Sequence, residues 1–396
     1  MLSTSRAHYS ILNVTSFATQ MGIALINFAL VYHLRYVFNL RADQIGIATS
    51  IYTATYLLSC IFGEKWAGRF SPRSCVQASL LLMAASIIVV VTASSVLVVY
   101  GALAAYGIVM SLMWPQIEAW ISRGKEGRQL NSAMSAFNFS WSFGAGVAPF
   151  VAGILVEQGT GTALLSGAGL LMTVFLFLWG SAFFLPSIRH VPSEKHTVDA
   201  TVVKDTSTSL RFFCWIGVVL VYSGMSVIQT IFPLFAHDSL GLSESVTGAL
   251  LLARGLTTCL SFFLLGRSSW WQFRPTVIFG VQIVFAVLCL IAVNFSAVWM
   301  YIPFFILFGI IFAGAYNLSM FHGASGSINR ARRMMVHEVL LTVGTIIGAS
   351  TGGMIYEALG FHAVLVMLAM VTGGIALVEI LAFLRMRAHG PAFQAK

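Results

Sequence analysis

Twelve separate runs of apolar residues, each about as long as a bilayer is thick, constrain this 396-residue chain more than any other feature. A helix needs about 20 apolar residues to cross the hydrocarbon core, and inside lipid only helices or closed barrels satisfy every backbone polar group. The runs fall at 10–33, 44–63, 75–95, 97–120, 131–155, 163–185, 212–235, 246–266, 275–294, 297–321, 335–356 and 363–384. Only 9% of residues are charged, and the mean hydropathy is +0.88. Soluble domains carry about 25% charge, so a soluble enzyme, a nucleic-acid binder and a disordered scaffold are excluded. The first run is too long for the apolar core of a cleavable signal and has no small-residue cleavage pattern, so it is expected to be the first helix. The five cysteines (Cys60, Cys75, Cys214, Cys259, Cys289) have neither pairing nor metal-ligand spacing and read as packing residues.

Charge sets the orientation. With the N-terminus inside, the inner segments hold Arg6; Lys65, Arg69, Arg73; Arg123, Lys125, Arg128; Arg189, Lys195, Lys204, Arg211; Arg267, Arg274; Arg330, Arg332, Arg333; and Arg385, Arg387, Lys396. That is 19 of the 22 basic residues, and only Arg35 and Arg41 fall outside. Cytoplasmic loops collect Lys and Arg, so both termini are expected in the cytoplasm of a cell with an inner membrane. The one long polar connection, Pro186 to Leu210, divides the chain into residues 1–185, a cytoplasmic linker 186–210, and residues 211–396.

The two parts resemble each other. A shift of 202 places Gly22 on Gly224, Asn27 on Gln229, Leu40 on Leu242, Gly46 on Gly248, Gly107 on Gly309, Ile108 on Ile310 and Trp114 on Tyr316. In the fifth run a shift of 200 places Gly144-x-x-x-Ala148-Pro149-x-x-Ala152-Gly153 on Gly344-x-x-x-Gly348-Ala349-x-x-Gly352-Gly353. Near-constant register over about 130 residues implies two parallel six-helix repeats, an architecture of secondary transporters.

With these features the chain resembles the major facilitator superfamily over essentially its whole length. The family signature between helices 2 and 3, Gly-x-x-x-Asp-Arg-x-Gly-x-Arg/Lys, corresponds to Glu64-Lys-Trp-Ala-Gly68-Arg69-Phe-Ser71-Pro-Arg73. Arg69 and Arg73 match, whereas Glu64, Gly68 and Ser71 depart from it. The helix 5 pattern is similar to the family's Gly-x-x-x-Gly-Pro-x-x-Gly-Gly, with Ala148 and Ala152 replacing two glycines. No Arg or Lys lies between Arg73 and Arg123, unlike the proton-coupled drug exporters with an arginine in helix 4. The resemblance implies an all-α fold of twelve transmembrane helices. Two six-helix bundles, related by a pseudo-two-fold axis, would rock about a central site.

Ionisable groups at membrane depth cost about 2.5–3.5 kcal/mol on insertion scales and require a reason. Arg254 lies near the midpoint of the eighth run, its repeat mate is the neutral Tyr52, and it cannot discharge by losing its proton. Two readings stand: it binds an anionic group of a substrate, or it makes a structural contact. No carboxylate at matching depth in helices 1, 2, 5 or 7 offers a counter-ion, which favours the first. Polar stripes add further candidates: Asn13, Gln20 and Asn27 in helix 1; Asn131, Ser135, Asn138 and Ser142, beside Trp141, in helix 5; Tyr222, Ser226 and Gln229 in helix 7; Thr49, Tyr52, Thr53 and Tyr56 in helix 2. Trp114-Pro115 in helix 4 and Tyr316-Asn317 in helix 10 correspond, and Pro115 should kink or open its helix. Glu118 and Glu338 fall near inner helix ends beside basic loops, and His337 adjoins Glu338. With Arg69 and Arg73 they read as gating or coupling groups. Glu379 is expected to face a neighbouring helix or the inner interface.

The expectation is therefore a monomeric carrier of a small organic anion or zwitterion, its site formed by Arg254, Gln20, Asn27, Tyr52, Trp114, Asn138, Trp141, Tyr222, Gln229, Tyr316 and Asn317. A proton or another ion is the possible co-substrate, and no cofactor, metal or nucleic acid is called for. An efflux carrier for amphipathic or lipid-like compounds, with a structural Arg254, is the alternative. A polytopic membrane enzyme would need convergent His, Asp, Glu or Cys groups at one depth, which are not found. A transporter-like sensor would ordinarily carry an additional soluble domain.

Overall fold

A computed structural model describes the backbone of residues 2–67, 70–117, 127–183, 205, 207–327 and 330–389, and the side chains of 10–62, 70–117, 136–183, 205, 207–327 and 332–388. Twelve helices in this part are long and apolar enough to cross a membrane. They are α1 (Leu2–Tyr36), α2 (Ala42–Ala67), α3 (Pro72–Thr92), α4 (Val96–Met110, continuing to Ile117), α5 (Gly127–Gln158) and α6 (Thr160–Ser181). The second set is α7 (Leu210–Thr230, continued by Phe232–Asp238), α8 (Glu244–Gly266), α9 (Pro275–Ala292), α10 (Val298–Ala324), α11 (Arg330–Leu359) and α12 (Phe361–His389). Glu118, Arg69 and most of the polar connection lie outside the described residues.

Local signals set the helix ends. Ser71 caps α3 by accepting from the Ser74 amide, with Pro72 at the first position, where a missing N–H costs nothing. Ser243 does the same for α8 through the Val246 amide. Before α7, Asp205 accepts from the Ser207 amide at 3.0 Å and from Arg333 Nη2 at 2.7 Å. The Ser207 hydrogen bond, helped by Arg333 and Arg211, holds the Asp205 carboxyl below the usual carboxylate range.

Two prolines interrupt helices, Pro115 as expected and Pro233 in addition. Pro115 cannot donate to the Ser111 carbonyl. The preceding turn tightens, with Leu112 bonding back to Val109 and Met113 to Met110. Pro233 likewise divides α7 at Ile231.

The outward faces carry apolar side chains, such as Leu97 at 79% exposure, Phe62 at 77% and Met370 at 69%. On a soluble protein such a surface would aggregate; here it matches lipid. The inner faces meet in a repeated scheme. α2 packs on α11 and α5 on α8, so each half contributes one helix to each inter-half contact. A Cβ at Gly46 would strike the Ala349 carbonyl, and one at Gly248 the Pro149 carbonyl. A Cβ at Gly153 would meet Glu244 backbone, and one at Gly353 Ala42 backbone. Under the shifts of 202 and 200 each contact maps onto its mate. The repeat read in the sequence is therefore a repeat of backbone approaches, and small residues permit them. Two six-helix bundles related by a pseudo-two-fold axis result.

Candidate functional site

Between the bundles lies a cavity of about 250 Å³. Its wall takes Gln20, Ile23 and Asn27 from α1; Tyr52, Thr53 and Tyr56 from α2; Met110 and Trp114 from α4; and Phe137 and Trp141 from α5. The second half supplies Tyr222 and Gln229 from α7, Tyr316 from α10, and Glu338, Leu341, Thr342 and Thr345 from α11. The spacing 338, 341, 342, 345 is one face of a helix. Thr342 and Thr345 donate to carbonyls of their own helix, Glu338 O at 2.8 Å and Leu341 O at 3.0 Å, which leaves their methyls and hydroxyl lone pairs for the wall.

The structure brings together Gln20, Asn27, Tyr52, Trp114, Trp141, Tyr222, Gln229 and Tyr316 from the expected set. Asn138 stands one step behind: its Oδ1 accepts from Trp141 Nε1 at 3.1 Å and fixes that ring. Asn317 is partly buried and does not line the cavity. Thr342 and Thr345, missing from the sequence reading, share the Glu338 stripe, which was its available signal.

Three expectations need correction. Arg254, read as a candidate cavity residue, is 3% exposed and does not line the wall. Its Nη1 lies 3.3 Å from the Met225 thioether and its Nε has no partner. Glu338, read near the inner end with basic loops, is instead in the cavity wall, because α11 begins at Arg330 and carries it two turns inward. Among the described residues neither Arg254 nor Glu338 belongs to a salt bridge. Tyr222 lies near enough to both to feel their charges. His337, read beside Glu338 as a gating or coupling group near an inner helix end, is 1% exposed, bonds Ser319 Oγ through Nδ1 at 2.7 Å, and meets the Tyr316 ring edge-on. Arg73 is also buried. Glu379 does face a neighbouring helix, accepting from Gln282 Nε2 at 2.7 Å.

One end of the cavity is closed by contacts between the halves. Arg35 pairs with Asp238 at 2.9 Å, and Tyr36 donates to Glu244 at 2.6 Å. Glu357 accepts from the Ala42 amide at 3.1 Å, and Glu157 from the Ser245 amide at 3.0 Å. Arg41 lies 3.6 Å from Glu357, and Tyr32 reaches the Pro233 carbonyl.

The Major Facilitator Superfamily sequence profile matches residues 12–335. The chain belongs to the major facilitator superfamily. Its members are carriers rather than enzymes, and the chain is a multi-pass membrane protein of that superfamily. "Multidrug resistance protein 2" of Bacillus subtilis (strain 168) is 20% identical over 258 residues, 63% of this chain and 63% of that protein. The chain thus covers under two thirds of that relative's length. Among solved structures, a POT family transporter in complex with 5-aminolevulinic acid superposes with a TM-score of 0.74 at 13% identity, covering 94% of this chain and 95% of that one. A structure described under substrate recognition in proton dependent oligopeptide transporters reaches 0.75 at 10% identity, covering 96% and 99%. At such identities these superfamily structures establish the shared fold.

Proposed function

We propose that this transporter carries a small amphipathic organic solute through the central cavity by alternating access, and that the structure is its state closed at the Arg35–Asp238 end. The observation that carries the reading is the cavity itself, bounded by both halves and lined with aromatic, amide and hydroxyl groups. A solute held there contacts the two bundles at once, so rocking one on the other changes its access without moving the site. The distribution of Lys and Arg supports placing the closed end outside the cell, with both termini and the 186–210 linker in the cytoplasm. Residues 1–185 and 211–396 are assigned as the two moving bodies, acting as a single chain in the inner membrane. Glu338, the carboxyl on the wall, is assigned as the coupling group, with a proton as the exchanging ion.

An organic anion bound by Arg254 is the second reading, favoured by the unpartnered Nε. It requires the guanidinium to leave Met225 and enter the space.

The test is flux. Purified protein in liposomes is loaded with the solutes that raise its unfolding temperature in a screen, and counterflow is measured. Saturable exchange, lost in Trp141→Ala, is expected. Counterflow equal to that of protein-free liposomes for every stabilising solute overturns the reading.

A further inference from the structure

The charge plan of the wall goes further than the carrier reading on which it rests. We propose that the cavity binds an organic monocation, with Glu338 as its charge partner and aromatic faces as its cage.

Three observations converge. First, seven of the lining residues are aromatic, and Tyr316 gathers two of them, with ring centroids 5.9 Å from Trp141 and 6.4 Å from Tyr222. Ring faces carry the negative part of the aromatic quadrupole, and a cation desolvated among several gains from each. Second, among the described residues the only side chain of the lining that can carry a charge is the Glu338 carboxyl, since no Lys, Arg or His belongs to it. The nearby guanidinium is turned toward Met225 Sδ and does not line the space. An anion entering here meets Glu338 before it can meet Arg254.

Third, the fold does not require this charge. Tyr222, Arg254 and Glu338 are the repeat mates of Gln20, Tyr52 and Asn138 through the shifts of 202, 202 and 200. The first half builds the same corner from neutral residues, with Asn138 holding Trp141 instead of facing the cavity. A carboxylate added at membrane depth without a salt-bridge partner is costly, and a bound cation removes that cost. Arg254 then acts as a like charge at one remove. Once Glu338 takes a proton, the corner is net positive and a bound cation is released.

The experiment compares three probes of one size by calorimetry on the purified full chain. These are benzyltrimethylammonium; neopentylbenzene, its neutral isostere with carbon in place of nitrogen; and 3-phenylpropionate. The cation is expected to bind at least tenfold more tightly than either other probe. Glu338→Gln is expected to abolish that preference while changing neopentylbenzene affinity less than twofold. Glu338→Asp keeps the preference, and Arg254→Met strengthens cation binding. The wild-type probe series stands even where a variant does not fold. Equal affinities, tighter binding of the anion, or a cation affinity untouched by Glu338→Gln overturn the cation assignment while leaving the carrier reading intact. Binding of none of the three, in protein that unfolds cooperatively, also overturns the cation assignment, whereas the carrier reading falls only on the counterflow test.

Discussion

The closed end of the cavity carries a pair of helix caps made in trans, and they set a measurable opening energy. Glu157 ends α5 and Glu357 ends α11, so each carboxylate sits at the unfavourable, negative end of its own helix dipole. Each accepts from the first amides of a helix in the other half: Ser245 of α8 at 3.0 Å and Ala42 of α2 at 3.1 Å. The two glutamates are mates through the shift of 200, and the amides they hold fall one residue apart in the shift of 202. They exist only while the halves touch at this end. A carboxylate at a helix N-terminus contributes about 0.3–1 kcal/mol, and both groups are solvent-facing enough to be screened, so about 0.5 kcal/mol each is the working figure. The double variant Glu157→Gln, Glu357→Gln should thus lower the closed state by about 1 kcal/mol, roughly fivefold in the closed-to-open ratio. Tyr36 donates to Glu244 at 2.6 Å, and the Glu244 side chain is only 13% exposed. A hydrogen bond to a shielded charge contributes about 1.5 kcal/mol. Adding Tyr36→Phe brings the total to about 2.5 kcal/mol, roughly 60-fold. Hydrogen–deuterium exchange read by mass spectrometry on peptides spanning 40–47 and 243–249 measures it directly. Exchange there should quicken about fivefold in the double variant and about 60-fold in the triple. Unchanged exchange in the triple variant refutes the latch. Equal acceleration around 318–327, at the opposite end of α10, shows general loosening instead.

Other expectations follow from the packing and from the charges. Gly146→Leu should cost about 1–3 kcal/mol in thermal unfolding, because even a Cβ there stands 2.9 Å from Gly255 Cα; Gly101→Ala, with open space around it, should be neutral or slightly stabilising. Arg254→Met should fold and keep or raise its unfolding temperature, since the guanidinium has a thioether for a partner and no carboxylate. A loss above about 3 kcal/mol would reveal an anionic partner within the protein and make Arg254 a structural residue. Tags at both termini should be protected from an impermeant protease in intact cells and cleaved in inside-out vesicles; the reverse pattern would invert the orientation.

How far the sequence led depended on which physical effect each feature tests. Helix number and the internal repeat were legible because lipid permits few alternatives and because the glycine positions recur at constant shift. Gly46 and Gly248, matched as letters, prove to be places where a carbonyl of the other half leaves no room for a side chain, as do Gly153 and Gly353. Depth was legible too: Arg254 is buried within the bundle, as its place in the run required. Rotation was not. In helices apolar on every side, the face turned to the cavity is chosen by neighbours rather than by periodicity, so Arg254 and Tyr222 could not be ranked by spacing. Glu338 was misplaced for a different reason. The apolar run begins at 335, but the helix begins at Arg330, since polar residues that extend an existing helix cost little. Five further residues turned an inner-end acid into a cavity acid. The trans caps were invisible because a helix-end glutamate signals nothing until the partner helix is in place.

The two halves therefore agree in backbone and disagree in charge, and the disagreement locates function more sharply than any single buried residue. Where a contact is repeated with its mate, as at Gly153 against Glu244 and Gly353 against Ala42, the fold alone accounts for it. Where the mates differ, the fold cannot be the reason. Asn138 facing Trp141 is a satisfied neutral pair, whereas its mate Glu338 faces open space. Tyr52 lines the wall, whereas its mate Arg254 is withdrawn from it onto the Met225 sulfur. Both departures fall in the second half, on helices α8 and α11, which also make the contacts with the first half. A change of charge at Glu338 is thus applied to the helices that pack against α5 and α2. Binding and rocking share those two helices, which is the coupling an alternating-access carrier requires.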